Sequence, residues 1–275
     1  MIKTENLIKL LKKSENSSNL IHCITNPISI NGSANIIISA GSVPIMAEHP
    51  NEVYEITEKS SALLINFGNI TDTRMKSFNI SAKCANENNI PVIVDAVGVS
   101  CSKLRLSFLK DFLNKYKVDV IKGNMSEIKA LSGLENSALG IDAGIEDQIN
   151  KDNIDNSSEI AKRLSQKYRS SVLITGKYDI ISSCDETYAV YNGSEYLSKL
   201  TGTGCMLGAL IACYLPYRRT LEAIILGTVL MGLAGENIKY KGPLSFQSDL
   251  LDYIYNAVLH PEILKAADFN RRYYD

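Results

Sequence analysis

Two glycines lead directly into an apolar run at residues 201–208, whose sequence is TGTGCMLG. Glycine has no Cβ, so backbone N–H groups in such a turn can approach a phosphate closely, and the first turn of a helix adds free N–H groups and a positive dipole end. Cys205 follows the turn, where a reacting group could meet its thiol. The segment therefore indicates phosphoryl transfer. Its structural alternative is a glycine turn followed by a buried helix.

Polar side chains also stand at the ends of three predicted strands. Asp95 closes the run PVIV and precedes the small-residue turn AVG. Lys122 and Asn124 follow the next strand, and Thr175 follows the strand after that. Ligands of open parallel sheets gather at the carboxyl ends of the strands. We therefore expect these positions to converge.

Asn124 and Glu127 have the spacing of a capping box, in which an N-cap Asn and a Glu three residues later satisfy free backbone N–H groups. The same Glu127 has a second interpretation. Beside Asp95 it would supply hard oxygen ligands, direct or through water, for a Mg²⁺ that bridges phosphates. The two interpretations are compatible.

Residues 22–35, HCITNPISINGSAN, place polar side chains at a strand end and then along the start of an apolar helix. A strand exit with Asn and Ser as turn and cap residues explains this pattern without a ligand. His22 alone is interpreted as a hydrogen-bonded structural histidine. Met46 ends the next strand, a position that suits core packing and also allows ligand contact.

Composition narrows the class of ligand. The chain has 275 residues, 45% of them hydrophobic, and a formal charge of -1. It has no long basic run, so neither nucleic acid nor an anionic membrane is expected as the main partner, and the ligand should be a small molecule. The apolar stretch 221–235 carries Glu222 and is shorter than the roughly 20 residues that span a bilayer, so it predicts a buried helix.

The cysteines and histidines exclude two further kinds of site. Six cysteines occur without a CxxC pair, and there are three histidines. This pattern indicates neither a zinc site nor a disulfide framework, and it fits reduced thiols in the cytoplasm. The N-terminal residues have lysines that interrupt the apolar ones, which predicts an amphipathic helix and no secretory signal.

Short β-rich runs alternate with longer helical patterns, which is the signature of βα units around a largely parallel sheet. Strands are predicted at 20–24, 43–46, 62–67, 91–95, 118–121 and 172–175. Helices are predicted at 29–40, 51–59, 73–88, 105–115, 126–131, 159–168, 204–214 and 220–240. Runs 178–182 and 187–191 are too close together for an intervening helix, so they predict an antiparallel hairpin at the sheet edge.

The polar stretch 133–158 predicts a long surface connection with one short helix. Because the alternating pattern resumes unchanged beyond it, we expect residues 1–275 to form a single domain.

Together these segments resemble hydroxyethylthiazole kinase of thiamine salvage, a ribokinase-like enzyme. The shared motifs follow in the same order over nearly the whole chain: HxITNxxxxNxxAN at 22–35, VPIMA at 43–47, DAVG at 95–98, GNMSE at 123–127, GIDA at 140–143, ITG at 174–176, TGTGC at 201–205 and KGPLSF at 241–246. The glycine–cysteine turn and NxxE are shared with hydroxymethylpyrimidine and pyridoxal kinases. The N-terminal HxITN segment is the discriminating one.

The resemblance implies a three-layer α/β fold and ATP-dependent phosphorylation of the primary alcohol of 4-methyl-5-(2-hydroxyethyl)thiazole with Mg²⁺. It also implies a homotrimer whose thiazole pockets lie between subunits. By position it assigns the substrate to Asn26, Ile28, Met46 and Gly202, the nucleotide to Lys122, Thr175 and the turn residues Thr203 and Gly204, and the metal to Asp95 and Glu127. It places Cys205 next to the attacking hydroxyl, where most ribokinase-like kinases have an aspartate.

Three positions depart from the family pattern. Lys122 stands where an arginine is usual, which keeps the charge but loses the bidentate fork for phosphate. Ala96 replaces a proline, and Leu244 replaces a glycine. The helix N-terminus favours a Cys205 thiolate while nearby phosphates oppose it, so we expect a positioning residue with partial base character.

Three alternatives stay open from the sequence. A thiol enzyme with Cys205 as nucleophile would need a histidine partner, and none stands at an obvious partner position. A catalytically silent thiazole-binding protein of the same fold is a second alternative. A ribokinase-like kinase for a pyrimidine or pyridoxal alcohol is the third.

Overall fold

The computed structural model describes residues 1–15, 17–134, 149–150, 153–217 and 220–272. In these ranges, nine strands form one sheet in the order β2-β1-β3-β4-β5-β6-β7-β8-β9. The strands are β1 (Leu20–Ile24), β2 (Val43–Ile45), β3 (Ala62–Asn66), β4 (Val92–Asp95), β5 (Val120–Asn124), β6 (Ser171–Thr175), β7 (Asp179–Ser182), β8 (Thr187–Val190) and β9 (Phe269–Arg272). Strands β1 to β6 are parallel, and β6 to β9 pair antiparallel.

Ten α-helices flank the sheet in the described ranges. They are α1 (Thr4–Ser14), α2 (Ile30–Ser39), α3 (Val53–Glu58), α4 (Asp72–Glu87), α5 (Lys103–Lys115), α6 (Met125–Ser132), α7 (Ile154–Tyr168), α8 (Thr203–Tyr214), α9 (Thr220–Asn237) and α10 (Pro243–Leu259). Short 3-10 turns occur at Glu195–Lys199, Leu215–Tyr217 and Pro261–Ala266. None of the helices described is long and apolar enough to cross a membrane.

The sheet is the middle of three layers, and each face has its own buried core. Along β3, Leu64 packs with α1, α2, α8, α9 and α10, whereas Leu63 and Ile65 pack on the side of α4 to α7. Successive side chains of a strand point to opposite faces, so a strand covered on both sides is apolar throughout. The predicted three-layer α/β fold with an antiparallel edge is confirmed.

Most predicted elements occur within a few residues of their expected ends, and the 178–191 hairpin and the buried helix at 221–235 are confirmed. Two elements were not predicted. Helix α10 begins at Pro243, directly after Gly242, and strand β9 returns to pair with β8 at the sheet edge. The predicted connection 133–158 is wrong at its end, because α7 already begins at Ile154. The GIDA motif at 140–143 lies outside the described residues.

Candidate active site

The glycine turn starts α8 as predicted. Gly202 is the N-cap residue and has φ 90°, a left-handed conformation that favours glycine, and no side chain caps the helix. The first hydrogen bond of the helix runs from Met206 N to Gly202 O, so the N–H groups of residues 203–205 precede the backbone ladder. The Thr203 hydroxyl donates to Leu197 O at 2.8 Å. The Thr203 side chain therefore fixes the turn. Its backbone N–H remains one of the N–H groups that could bind a phosphate.

The segment 22–35 meets this turn within one chain. Asn26 Nδ2 lies 3.4 Å from Cys205 Sγ, and both residues are buried. A Cβ on Gly202 would lie 3.6 Å from the Cβ of Ser29, which follows Asn26 in the same turn. The two motifs that the sequence separates by about 180 positions thus form one site.

Three strand-end side chains face α8 from the sheet. The register pairs Asn66 with Asp95 and Asp95 with Lys122 across β3, β4 and β5. Lys122 Nζ donates to Asp95 Oδ2 at 3.1 Å, and both groups are buried. A Cβ on Gly204 would lie 3.6 Å from Lys122 Nζ, so the ammonium stands directly below the glycine turn. The predicted convergence of Asp95 and Lys122 is confirmed, and the structure also brings both to the glycine turn.

Burial and the charges of Asp95 and Lys122 shift the pKa values of the groups in the site. Burial raises the pKa of the Cys205 thiol, Asp95 raises it further, and Lys122 offsets only part of the effect. Burial alone would lower the pKa of Lys122, but the charge of Asp95 holds it above its ordinary value. Cys205 is therefore a thiol and Lys122 a cation at neutral pH.

Glu127 forms the predicted capping box with Asn124. Glu127 Oε2 accepts from Asn124 N at 2.7 Å, and Asn124 Oδ1 accepts from Glu127 N at 2.9 Å. Glu127 Oε1 also accepts from Gly98 N at 2.8 Å, which ties the turn after Asp95 to α6. Burial and the charge of Asp95 raise the pKa of Glu127 to about 8. The capping interpretation is confirmed, and the metal role stays a prediction.

The remaining predicted positions surround this centre at different depths. Thr175 ends β6 beside Asn124, and its hydroxyl lies 3.5 Å from Gly123 O. Met46 directly follows β2 and is half-buried against the core on the α8 side. Ile28 is 76% exposed in the turn between β1 and α2. Ile28 follows β1, Met46 follows β2 and Thr175 ends β6, so all three lie at the carboxyl ends of parallel strands, and their binding roles stay predictions.

His22 is a structural histidine, as predicted. Its Nε2 lies 2.9 Å from Ala47 O, and its Nδ1 lies 2.9 Å from Thr57 Oγ1. Burial lowers the pKa of His22 to about 4, so the ring is neutral at pH 7. Since Ala47 follows Met46, His22 holds the loop that carries a predicted substrate residue.

Sequence reasoning missed two features of the site. Asn66 closes β3 between Asp95 and the thiol of Cys205, and its signal was the same as that of Asp95, a polar residue at the end of an apolar strand. The buried guanidinium of Arg74 donates to Glu48 at 2.6 Å and holds the loop after Met46 from the α4 side. Nothing in the local pattern linked Glu48 to Arg74, because the contact joins two separate elements.

The three-layer fold is that of ribokinase-like proteins of known structure. The known structures with this architecture include a pyridoxal kinase of Bacillus subtilis in an ADP complex, which is 16% identical, has a TM-score of 0.58 and covers 82% of this chain and 95% of its own. Such a low identity shows the fold alone. A hydroxyethylthiazole kinase structure from Pyrococcus horikoshii is more similar, with a TM-score of 0.85, 29% identity, and coverage of 98% of this chain and 100% of its own.

Sequence comparison is more specific than the fold. The pattern of the hydroxyethylthiazole kinase family matches residues 11–260, and the chain belongs to that family. Hydroxyethylthiazole kinase 2 of Clostridium botulinum is 53% identical over 86% of this chain and 90% of its own length. Hydroxyethylthiazole kinase of Finegoldia magna is 44% identical over 86% of each chain. The protein is therefore a kinase, and the predicted family is confirmed.

Proposed function

We propose that the protein transfers the terminal phosphoryl group of ATP to the primary alcohol of 4-methyl-5-(2-hydroxyethyl)thiazole. The observation that carries this proposal is the 3.4 Å contact between Asn26 Nδ2, on the segment assigned to the thiazole, and Cys205 Sγ, at the end of the glycine turn. This contact supports the proposal because it joins the segment predicted to bind the thiazole to the turn predicted to bind the phosphate. The printed names of the relatives point to the same alcohol.

In this mechanism, the protein chiefly aligns the alcohol and neutralises charge on the transferring group, because phosphoryl transfer passes through a loose transition state in most analyses. The backbone N–H groups of Thr203 and Gly204 and the ammonium of Lys122 hold the terminal phosphate. Thr175 contacts the nucleotide from the end of β6. Cys205 borders the attacking hydroxyl, and its raised pKa keeps it protonated, so it positions the alcohol. The alcohol proton passes to an oxygen of the transferred phosphoryl group as ADP leaves.

The carboxylates fit a Mg²⁺ ion that is bound mainly through the nucleotide. Asp95 Oδ1 is buried without a side-chain partner in the structure, and Glu127 lies across the turn. Burial raises the pKa of Asp95, although Lys122 and the Val97 N–H partly offset this. The described residues hold no group of three or more acidic, His or Cys side chains suited to a metal. Magnesium often takes one or two carboxylates, water and substrate phosphates, so Asp95 and Glu127 suffice. When bound, the ion supplies positive charge to the phosphates.

We further propose a homotrimer with thiazole pockets between subunits. Ile28 is assigned to the thiazole, yet its apolar side chain is 76% exposed in the single chain, which a neighbouring subunit would cover. A single kinase domain over residues 1–275 is supported by the one continuous sheet. A cytoplasmic location is supported by six free cysteines.

The departures from the family pattern are compatible with this function. Ala96 is fully buried after Asp95 and removes no polar group. Leu244 lies in the first turn of α10 with its side chain exposed. Lys122 keeps a single positive charge beside the glycine turn, so it can contact a phosphate oxygen without the fork of an arginine.

Turnover with three alcohols in parallel tests the substrate. The purified protein is incubated with ATP and the thiazole alcohol, hydroxymethylpyrimidine or pyridoxal, with and without Mg²⁺, and ADP is measured. We expect the highest kcat/KM with the thiazole alcohol and no turnover without Mg²⁺. Preference for another alcohol would reassign the substrate. Thiazole binding without ADP formation would instead indicate a silent binding protein.

A further inference from the structure

Asn66 connects the thiol and the acidic side of the site through one carboxamide. It is the last residue of β3 and is 1% exposed. Its Nδ2 lies 3.2 Å from Cys205 Sγ and 3.3 Å from Asp95 Oδ2. An amide nitrogen carries two hydrogens, so one can be donated to each acceptor.

The other end of the same side chain is equally occupied. Asn66 Oδ1 accepts from Gly68 N at 2.8 Å and from Asn26 Nδ2 at 3.1 Å. A flipped amide would place its NH₂ group against two donors, so the hydrogen-bond network allows one orientation only. Asn66 therefore has a donor or acceptor for each of its four hydrogen-bonding positions, which makes it a rigid element of the site.

The strand register explains why Asn66 reaches these partners. Asn66 lies beside Asp95 in the parallel register, and both follow apolar residues two positions earlier, Leu64 and Ile93, that pack on the α8 side. With a side-chain period of two, all four side chains face α8. Cys205 is on the first turn of α8, so the amide fits between helix and strand.

We propose that Asn66 is a positioning residue for phosphoryl transfer, which holds the Cys205 thiol and the Asp95 carboxylate in one fixed arrangement. Asn66 and Asn26 both donate to the sulfur. Since a carboxamide N–H can only donate, the sulfur is the acceptor in both contacts, and its own hydrogen points away from them. The thiol is thereby oriented relative to the alcohol. This role rests on the phosphoryl transfer proposed above.

Asn66→Leu tests the role kinetically, because leucine has a similar size and no hydrogen bonds. The variant removes all four hydrogen bonds of the carboxamide, and the loss of the two that hold the thiol and the carboxylate should lower kcat on the order of ten- to a hundredfold. KM for ATP should change by less than about threefold, since the glycine turn and Lys122 keep their groups. A kcat within about twofold of the original value would overturn the proposal, as would a loss confined to KM for ATP.

Titration of the Cys205 thiol gives a readout that needs no substrate. The alkylation rate of Cys205 with iodoacetamide is followed against pH by mass spectrometry of its peptide, because Cys101 is exposed and also reacts. A hydrogen bond donated to the thiolate favours it, so Asn66→Leu should move the midpoint to higher pH. Asn66→Asp should move it further, because it adds a negative charge. Unmoved midpoints would overturn the proposal even if the natural substrate differed from the thiazole.

Asn192→Leu is the matched control. Asn192 is also a buried carboxamide bonded at both ends, to Glu236 of α9 and to Asp268 N directly before β9, and these partners are not in the glycine turn or the strand ends of the site. Thermal melts establish that each variant folds. We expect Asn192→Leu to leave kcat and the midpoint pH of Cys205 alkylation unchanged. If kcat fell equally in Asn192→Leu, the effect of Asn66→Leu would be assigned to packing. If Asn66→Leu does not fold, the near-isosteric Asn66→Asp carries both measurements.

Discussion

Acidification should destabilise the protein through His22. This ring is fully buried, and its Nε2 donates to Ala47 O at 2.9 Å. Burial lowers the pKa of His22 from its ordinary value of 6.5 to about 4. In the unfolded chain the ring returns to water and to its ordinary pKa. Between these two values the unfolded state binds a proton that the folded state does not, so the free energy of unfolding falls as the pH falls.

The size of the effect follows from the two pKa values. With about 4 in the folded state and 6.5 in the unfolded state, lowering the pH from about 7.5 to about 5 removes about 2 kcal/mol of stability. A chain of 275 residues has an unfolding entropy of roughly 0.6 kcal/mol/K, so the melting temperature should fall by about 3–4 °C from this group.

The assay compares the original protein with His22→Gln by urea unfolding at both pH values. Glutamine can still donate an N–H to Ala47 O, but it does not titrate. Other groups titrate in both proteins and cancel in the comparison. We expect the pH-dependent loss of stability to be smaller by about 2 kcal/mol in His22→Gln than in the original protein. Equal pH dependence in His22→Gln and the original protein, within about 0.5 kcal/mol, would refute the reasoning.

Three further predictions concern other parts of the site. Glu127→Gln should raise the Mg²⁺ concentration needed for half-maximal activity, because the ion would lose one of its two carboxylates, and an unchanged metal titration would count against that role. Cys205→Asp should retain or raise activity by supplying a carboxylate base, and a folded variant with about a thousandfold lower turnover would contradict this. Gly202→Ala and Gly133→Ala both place alanine at positive φ, with an expected loss of about 1 kcal/mol in urea unfolding. Only Gly202→Ala should also raise the KM values. If the two variants had equal KM values, the glycine turn would not be part of the binding site.

The fold was predictable where one local pattern determined an element. Apolar runs of four or five residues that are buried on both faces identified the parallel strands, and the short spacing at 178–191 identified the hairpin. Helix α10 could have been found from the Gly242–Pro243 start and from Leu250 and Ile254 at helical spacing. Strand β9 could not, because its four residues include Asn270, Arg271 and Arg272 and gain their structure by pairing with β8.

The candidate site was predictable at the level of positions but not of contacts. Polar residues at strand ends pointed to the correct edge of the sheet, since parallel strands bring their carboxyl ends together. The register then decided which residues touch, and a shift by one position would have turned Asp95 away from Lys122 and toward the opposite face. No local pattern encodes that alignment, so the hydrogen bonds of Asn66 and the Glu48–Arg74 pair emerged only from the three-dimensional arrangement.

The charge balance of the site connects these contacts to the proposed chemistry. Lys122 is the cation that ion-pairs with Asp95 among the residues described, while Glu127 adds a second buried carboxylate. Burial first and the charge of Asp95 second raise the pKa of Glu127 to about 8, so it is largely protonated at neutral pH and its ionisation would leave the site with a deficit of positive charge. Nucleotide phosphates would deepen the deficit, and Lys122 cannot neutralise Asp95 and a phosphate fully at once. A divalent cation between the carboxylates and the phosphates restores the balance, so Mg²⁺ and nucleotide should bind with positive coupling.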